Sequence, residues 1–234
     1  MISLSLKNNK RLCPEAVLFD MDGVIFNSMP NHAVSWHESM AQFGLDMSAE
    51  EAYRCEGMRG VETIKQLVRT QWHRELSDEE AARMYAVKSA RFARCPAPRL
   101  MHGIMPLMRQ IRRQGLTIGI VTGSGQYTLL DQLATRFRGL VHRDHIVTGY
   151  DVSRGKPAPD PYLRGMEKCG VEPEQTIVVE NAPLGVRAAV AAGCFTVAVN
   201  TGLLPDSSLR AEGADCILPS IMVLNRRWRE LFIE

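Results

Sequence analysis

A chain of 234 residues, 45% apolar and 23% charged with a formal net charge of +2, suits one large globular domain or a core with an inserted module, and not a disordered or fibrous chain. So small a net charge implies no strongly basic face, which argues against nucleic acid or an anionic membrane as a partner. No stretch reaches the roughly 18 apolar residues of a membrane span, and residues 1–11 hold no apolar run of signal-peptide length, so a cytoplasmic chain is expected.

The first structured stretch is Val17-Leu18-Phe19-Asp20-Met21-Asp22-Gly23-Val24, an apolar run that ends in two carboxylates two residues apart. Such a run suits a strand buried on both faces of a parallel sheet with helices on either side. Ligands bind beyond the carboxyl ends of the strands in such sheets, which is where Asp20 and Asp22 would sit. Taken alone, Asp-x-Asp-Gly also reads as an N-cap turn.

The spacing then turns helical, with no comparable strand candidate until about residue 116. Pro30 to Phe43 carries Val34, Trp36, Met40 and Phe43 among polar residues and stops at Gly44. Ser48-Ala49-Glu50-Glu51 resembles a capping box opening a second helix. After the loop Cys55-Glu56-Gly57-Met58-Arg59-Gly60 a third helix places Ile64, Leu67 and Val68 on one face. Ser77-Asp78-Glu79-Glu80 starts a fourth that reaches Ala93, and Pro96 and Pro98 close the block. Residues 28–97 are therefore expected to form a helical cap, inserted into an α/β core made of residues 1–27 and 98–234.

From Ile104 onward helical and strand patterns alternate, the sign of βα units and a parallel, Rossmann-like sheet. A helix from Ile104 to Gln114 precedes a strand from Leu116 to Val121, and further strands are expected at His145 to Thr148, Thr176 to Glu180, Phe195 to Val199 and Asp215 to Leu218. Three of these strand ends carry chemistry. Thr122-Gly123-Ser124-Gly125 precedes a helix, so its backbone N–H groups can cradle a phosphate; the same residues also suit plain capping. Gly155-Lys156-Pro157-Ala158-Pro159-Asp160-Pro161 holds a lysine in a loop stiffened by three prolines, with Asp160 as an expected helix cap. Val178-Val179-Glu180-Asn181 ends a strand in a carboxylate and an amide, oxygen donors that suit Mg²⁺. The six cysteines, Cys13, Cys55, Cys95, Cys169, Cys194 and Cys216, lack the Cys-x-x-Cys spacing of a zinc site or redox pair and are read as idle thiols.

With all four motifs in order and a helical block after the first, the chain resembles the phosphotransferases of the haloacid dehalogenase superfamily, in the subfamily typified by β-phosphoglucomutase. The resemblance implies that Asp20 is a nucleophile accepting a phosphoryl group and Asp22 the acid and base beside it. It implies that Thr122, Gly123, Ser124 and Lys156 hold the phosphoryl group, and that Mg²⁺ binds Asp20, the Asp22 carbonyl and Asn181, with Glu180 in or beside the shell. It also implies small phosphorylated compounds as substrates. A monomer or weak homo-oligomer is expected.

Two departures bear on substrate. Asn181 stands where the family usually has an acid, so the core has lost a negative charge. The mutases resemble Lys-Gly-x-Ser-Arg in the cap loop, where this chain has Glu56-Gly57-Met58-Arg59-Gly60. A carboxylate facing a bound phosphate is repelled unless a cation lies between them, so Glu56 is expected to reach the metal when the cap closes. That leaves room for a small leaving group, and the pairing of Glu-Gly with Glu-Asn-Ala-Pro-Leu-Gly resembles a branch that includes inorganic pyrophosphatases. Pyrophosphate is thus the favoured substrate, ahead of a sugar phosphate turned over by a phosphatase or mutase, and ahead of a regulatory protein that binds a phospho-ligand without turnover. His32, Arg59 and Lys88 are further candidates for substrate contact, with a surface or packing role as the alternative for each.

Overall fold

The computed structural model describes residues 13–125 and 127–232. The segment 1–12, on which the reading against a signal peptide rests, lies outside the described residues. In chain order the elements are β1 (Ala16–Phe19), α1 (Met29–Ala41), α2 (Ala49–Arg54), α3 (Gly60–Trp72), α4 (Asp78–Ala93), α5 (Ile104–Arg113), β2 (Thr117–Val121), α6 (Tyr127–Arg136) and β3 (Ile146–Val147). They continue with α7 (Asp160–Cys169), β4 (Thr176–Glu180), α8 (Pro183–Ala191), β5 (Phe195–Val199), α9 (Asp206–Ala211), β6 (Cys216–Leu218) and α10 (Ile221–Arg227).

The six strands form one parallel sheet in the order β3-β2-β1-β4-β5-β6. Successive side chains of a strand point to opposite faces, and here they divide the core. Val17 and Phe19 join Ile118, Ile120, Ile177 and Val179 against α5, α6 and α10. Leu18 joins Val121, Val178 and Tyr162 against α7 and α8 on the other face. Because both faces are covered, β1 is buried along its whole length, and this is why it reads as a continuous apolar run.

Helices α1 to α4 pack around a separate cluster that includes Met29, Trp36, Met40, Ile64, Val68 and Met84. Both α2 and α4 open on full capping boxes, Ser48 with Glu51 and Ser77 with Glu80. The chain leaves the sheet and returns to it side by side: the Asn27 amide donates to the Arg99 carbonyl at 2.8 Å, and Phe26 bridges Leu100 in antiparallel fashion.

Two expected elements differ. The strand expected at His145 to Thr148 is confined to Ile146 and Val147, and Arg143–His145 forms a 3₁₀ turn instead. As the sheet edge beside β2, this strand has one partner to hold it. Asp160 is the first residue of α7 and not its cap, since Pro159 takes the cap position and the Asp160 carboxylate accepts from Arg154.

Candidate active site

The register of β1 with β2 and β4 sets the site. Phe19 pairs with Ile120 and with Val179, so Asp20, Thr122 and Glu180 emerge together at the carboxyl edge of three adjacent strands. Lys156 comes from the loop after β3, beside a cis Lys156-Pro157 bond, and is 1% exposed. Its ammonium donates to Asp20 Oδ1 at 2.5 Å, to Glu180 Oε1 at 2.7 Å and to the Val121 carbonyl at 3.1 Å. Burial works against the charge on Lys156, but Asp20 and Glu180 outweigh it and hold its pKa above that of an ordinary lysine. For Asp20 the balance is reversed: burial, with help from Glu180 and Asp22, pushes its carboxyl well above the usual range despite the pull of Lys156.

Glu180 is fully engaged. Oε1 accepts from Lys156 and from the Tyr162 hydroxyl at 2.7 Å, while Oε2 accepts from the Asn181 amide at 2.9 Å and the Ala182 amide at 3.2 Å. Glu180, expected in or beside a metal shell, here positions Lys156 and holds the turn after β4.

Glu56 reaches down from the loop between α2 and α3 and accepts from Asn181 Nδ2 at 2.8 Å. Gly23, at φ +75°, lies directly beneath, where a Cβ would stand 2.1 Å from that same nitrogen. Burial, followed by repulsion from Asp20, Glu180 and Asp22, pushes the Glu56 carboxyl well up, with Asn181 pulling the other way. The other amide atom, Asn181 Oδ1, is buried and finds no hydrogen-bond partner among the described residues. An orphaned hard oxygen beside two carboxyls that burial and mutual repulsion drive toward protonation is a site short of positive charge, and its donors fit Mg²⁺. Among the described residues no three His, Cys, Asp or Glu side chains form a metal cage by themselves, so the Asn181 amide and backbone carbonyl oxygen would be part of any such site.

Asp22 faces the helical layer. Its Oδ1 accepts from Ser28 Oγ at 2.5 Å and lies 3.1 Å from His32 Nε2, while His32 Nδ1 lies 2.6 Å from Lys88 Nζ. With Lys88 donating to Nδ1, the imidazole carries its proton on Nε2 and donates to Asp22. Burial alone would raise the pKa of Asp22, but His32, Ser28 and Lys88 overcome it and hold the carboxyl below its usual value. Lys88 is enclosed by the rings of Trp36, Tyr85 and Phe92, with Nζ 4.9 to 5.8 Å from their centroids, and burial brings its pKa down to about 7.

Asp20, Asp22, His32, Glu56 and Lys88 line a chamber of about 40 Å³ together with Thr122, Gly123 and Ser124. The Thr122 hydroxyl accepts from the Ser124 amide at 3.0 Å, fixing that turn. Arg59 does not line the chamber; its guanidinium donates to the Ser153 carbonyl at 2.6 Å. Sequence reasoning missed Ser28 and Tyr162. Ser28 sits next to the hinge and Tyr162 directly after Asp160-Pro161, but neither residue type signals the carboxylate it serves.

The chain matches the family described as haloacid dehalogenase-like hydrolase over residues 17–199. It is 31% identical to validoxylamine A 7'-phosphate phosphatase of Streptomyces hygroscopicus subsp. limoneus, across 92% of this chain and 96% of that one. It is 28% identical to hexitol phosphatase A of Escherichia coli (strain K12), across 87% and 90%. A solved Bacteroides vulgatus protein, provisionally described as a beta-phosphoglucomutase, is 45% identical with a TM-score of 0.92, covering 96% of this chain and 91% of that chain.

Proposed function

Because the chain belongs to the haloacid dehalogenase-like hydrolases, we propose that it is a Mg²⁺-dependent phosphohydrolase that works through an aspartyl phosphate on Asp20, with inorganic pyrophosphate as its favoured substrate. The observation that carries the substrate choice is the double hydrogen bond that Ser28 and His32 make to Asp22. A carboxyl held ionised in this way carries no proton to give to a departing group. An alkoxide leaving group needs a proton as it departs, whereas phosphate leaves an anhydride as a far weaker base. The carboxylate of Glu56 in the chamber wall supports the same compact, metal-bound substrate.

In the first step an Asp20 carboxylate oxygen attacks phosphorus and the bridging P–O bond breaks, releasing phosphate. In the second, Asp22 takes a proton from water as the water oxygen attacks phosphorus; the bond from phosphorus to Asp20 breaks and the second phosphate leaves. Lys156 neutralises Asp20 from below, and the Thr122 hydroxyl with the Gly123 amide holds the phosphoryl oxygens, while the Ser124 amide fixes Thr122. Asp20, the Asp22 carbonyl, Asn181 Oδ1 and Glu56 would hold Mg²⁺, with Glu180 behind them as the support of Lys156. Bound there, Mg²⁺ neutralises charge between an anionic nucleophile and an anionic substrate. Helices α1 to α4 act as a cap that excludes bulk water during the reaction.

A sugar phosphate is the competing substrate, favoured by the two curated relatives, whose names are those of phosphatases of a validoxylamine phosphate and of hexitol phosphates. Phosphate release from pyrophosphate, measured beside a panel of sugar phosphates with and without Mg²⁺, separates the readings. Pyrophosphate should be fastest and depend on Mg²⁺. Asp20→Asn should lose at least about a thousandfold in rate, and Glu56→Lys should lose pyrophosphatase while gaining sugar phosphate turnover. A higher kcat/KM for a sugar phosphate, or an unchanged preference in Glu56→Lys, counts against pyrophosphate. Absence of release across the panel returns the chain to a phospho-ligand-binding role.

A further inference from the structure

Residues 56 to 59 touch three different loops of the core. Glu56 meets Asn181 after β4. The carbonyl oxygen of Gly57 lies 2.3 Å from where a Cβ on Gly123, after β2, would stand. Arg59 crosses to the loop that carries Lys156, donating to the Ser153 carbonyl at 2.6 Å, and its Cγ lies 2.5 Å from the position of a Cβ on Gly155. The Arg59 backbone is fixed from its own side, since its carbonyl accepts from the amide and hydroxyl of Thr63 in the first turn of α3. The side chain lies at the seam, with a cleft of about 420 Å³ lined by Arg59, Val61, Tyr85 and Tyr150 and another of about 310 Å³ lined by Met58, Ser153 and Gly155.

We propose that Arg59 is a latch that holds the cap closed on the Lys156 loop, seated in a notch that exists because residue 155 has no side chain. Arg59 contributes neither to the chamber wall nor to Asp20, so it is a positioning residue. Its reach to Ser153, three residues before Lys156, couples closure of the cap to the placement of that ammonium. A guanidinium suits the task because it keeps its charge and presents several donors in a fixed plane, whereas a lysine offers one mobile point charge. The latch builds on the phosphohydrolase reading, because the closed cap is the state that reading assigns to chemistry.

Hydrogen exchange on the whole chain without substrate tests it, following peptides over residues 55–63 and 148–158 with residues 104–113 as the reference. Arg59→Ala should speed exchange about fivefold or more in both loops and leave the reference unchanged, because loss of one local contact opens a cooperative unit without global unfolding. Arg59→Lys should fall between. Gly155→Ala should reproduce Arg59→Ala with the arginine intact. Should Gly155→Ala loosen the reference peptide as well, Arg59→Ala, a half-buried surface change, decides alone. Unchanged exchange of either loop in Arg59→Ala overturns the latch. In turnover the same variant should lower kcat/KM severalfold, because closing the cap and seating Lys156 then draw on binding energy; an unchanged kcat/KM also overturns it. Exchange needs no turnover, so a chain that hydrolyses nothing on the panel yet loosens in Arg59→Ala keeps the latch and loses the substrate assignment.

Discussion

Lys88 is 1% exposed among three aromatic rings, and its pKa of about 7 against 10.5 for an ordinary lysine has a thermodynamic consequence. Between those two values the unfolded chain binds the proton and the folded chain does not, so stability rises with pH. Buried thiols act in the opposite sense above about pH 8, where they begin to ionise in the unfolded chain, Cys194 being pushed up to about 12 by burial, which leaves pH 7.0 to 8.0 as the window. Over it the protein should gain about 1 kcal/mol, and Lys88→Met should lose that slope; urea unfolding at the two pH values measures both. Equal slopes would mean that Lys88 stays charged when folded. From the sequence this lysine was a candidate for substrate contact, but its pairing with His32 was not legible, because the two lie 56 residues apart. Asp20, Asp22 and Lys156 were legible because each follows an apolar run or a stiff loop and its chemistry has few structural substitutes. The inward path of Arg59 to Ser153 was not, since side-chain direction in a loop leaves no periodic trace.

Helix starts were visible in advance, because a capping box is closed within four residues. At α4 the Glu80 amide donates to Ser77 Oγ at 3.2 Å and the Ser77 amide donates to Glu80 Oε2 at 3.0 Å. Ser77→Ala should cost about 1 kcal/mol in denaturant unfolding while leaving the rate of phosphate release unchanged, since Lys88 lies more than two turns along the helix. A loss of activity at full folding would show that α4 is held in place by its cap and not by its packing. The edge strand β3 was overestimated for the converse reason: its length depends on the partners available across the sheet, and residues 145–148 carry no record of having one neighbour.

At the scale of the molecule, the parallel α/β class was readable from alternating patterns, but the strand order was not. Leu18 pairs with Gly119 and Val178, contacts across about 100 and 160 residues that only the folded sheet defines. The apolar cluster among α1 to α4 is separate from those that cover the two faces of the sheet. Ile64→Ala, in the helical cluster and fully buried, should cost about 2 to 5 kcal/mol locally. Native-state hydrogen exchange should then show α1 to α4 losing protection while β1, β2 and β4 keep theirs; uniform loss would mean that the helical cluster and the sheet melt as one. The paired linkers, with Asn27 bonded to Arg99 and Phe26 bridging Leu100, carry a consequence for descent. A segment whose two ends meet can be lengthened, shortened or exchanged without changing the span the sheet has to close. Inheritance can therefore rewrite what lies between residues 27 and 99 while the strands that carry Asp20 and Glu180 keep their register.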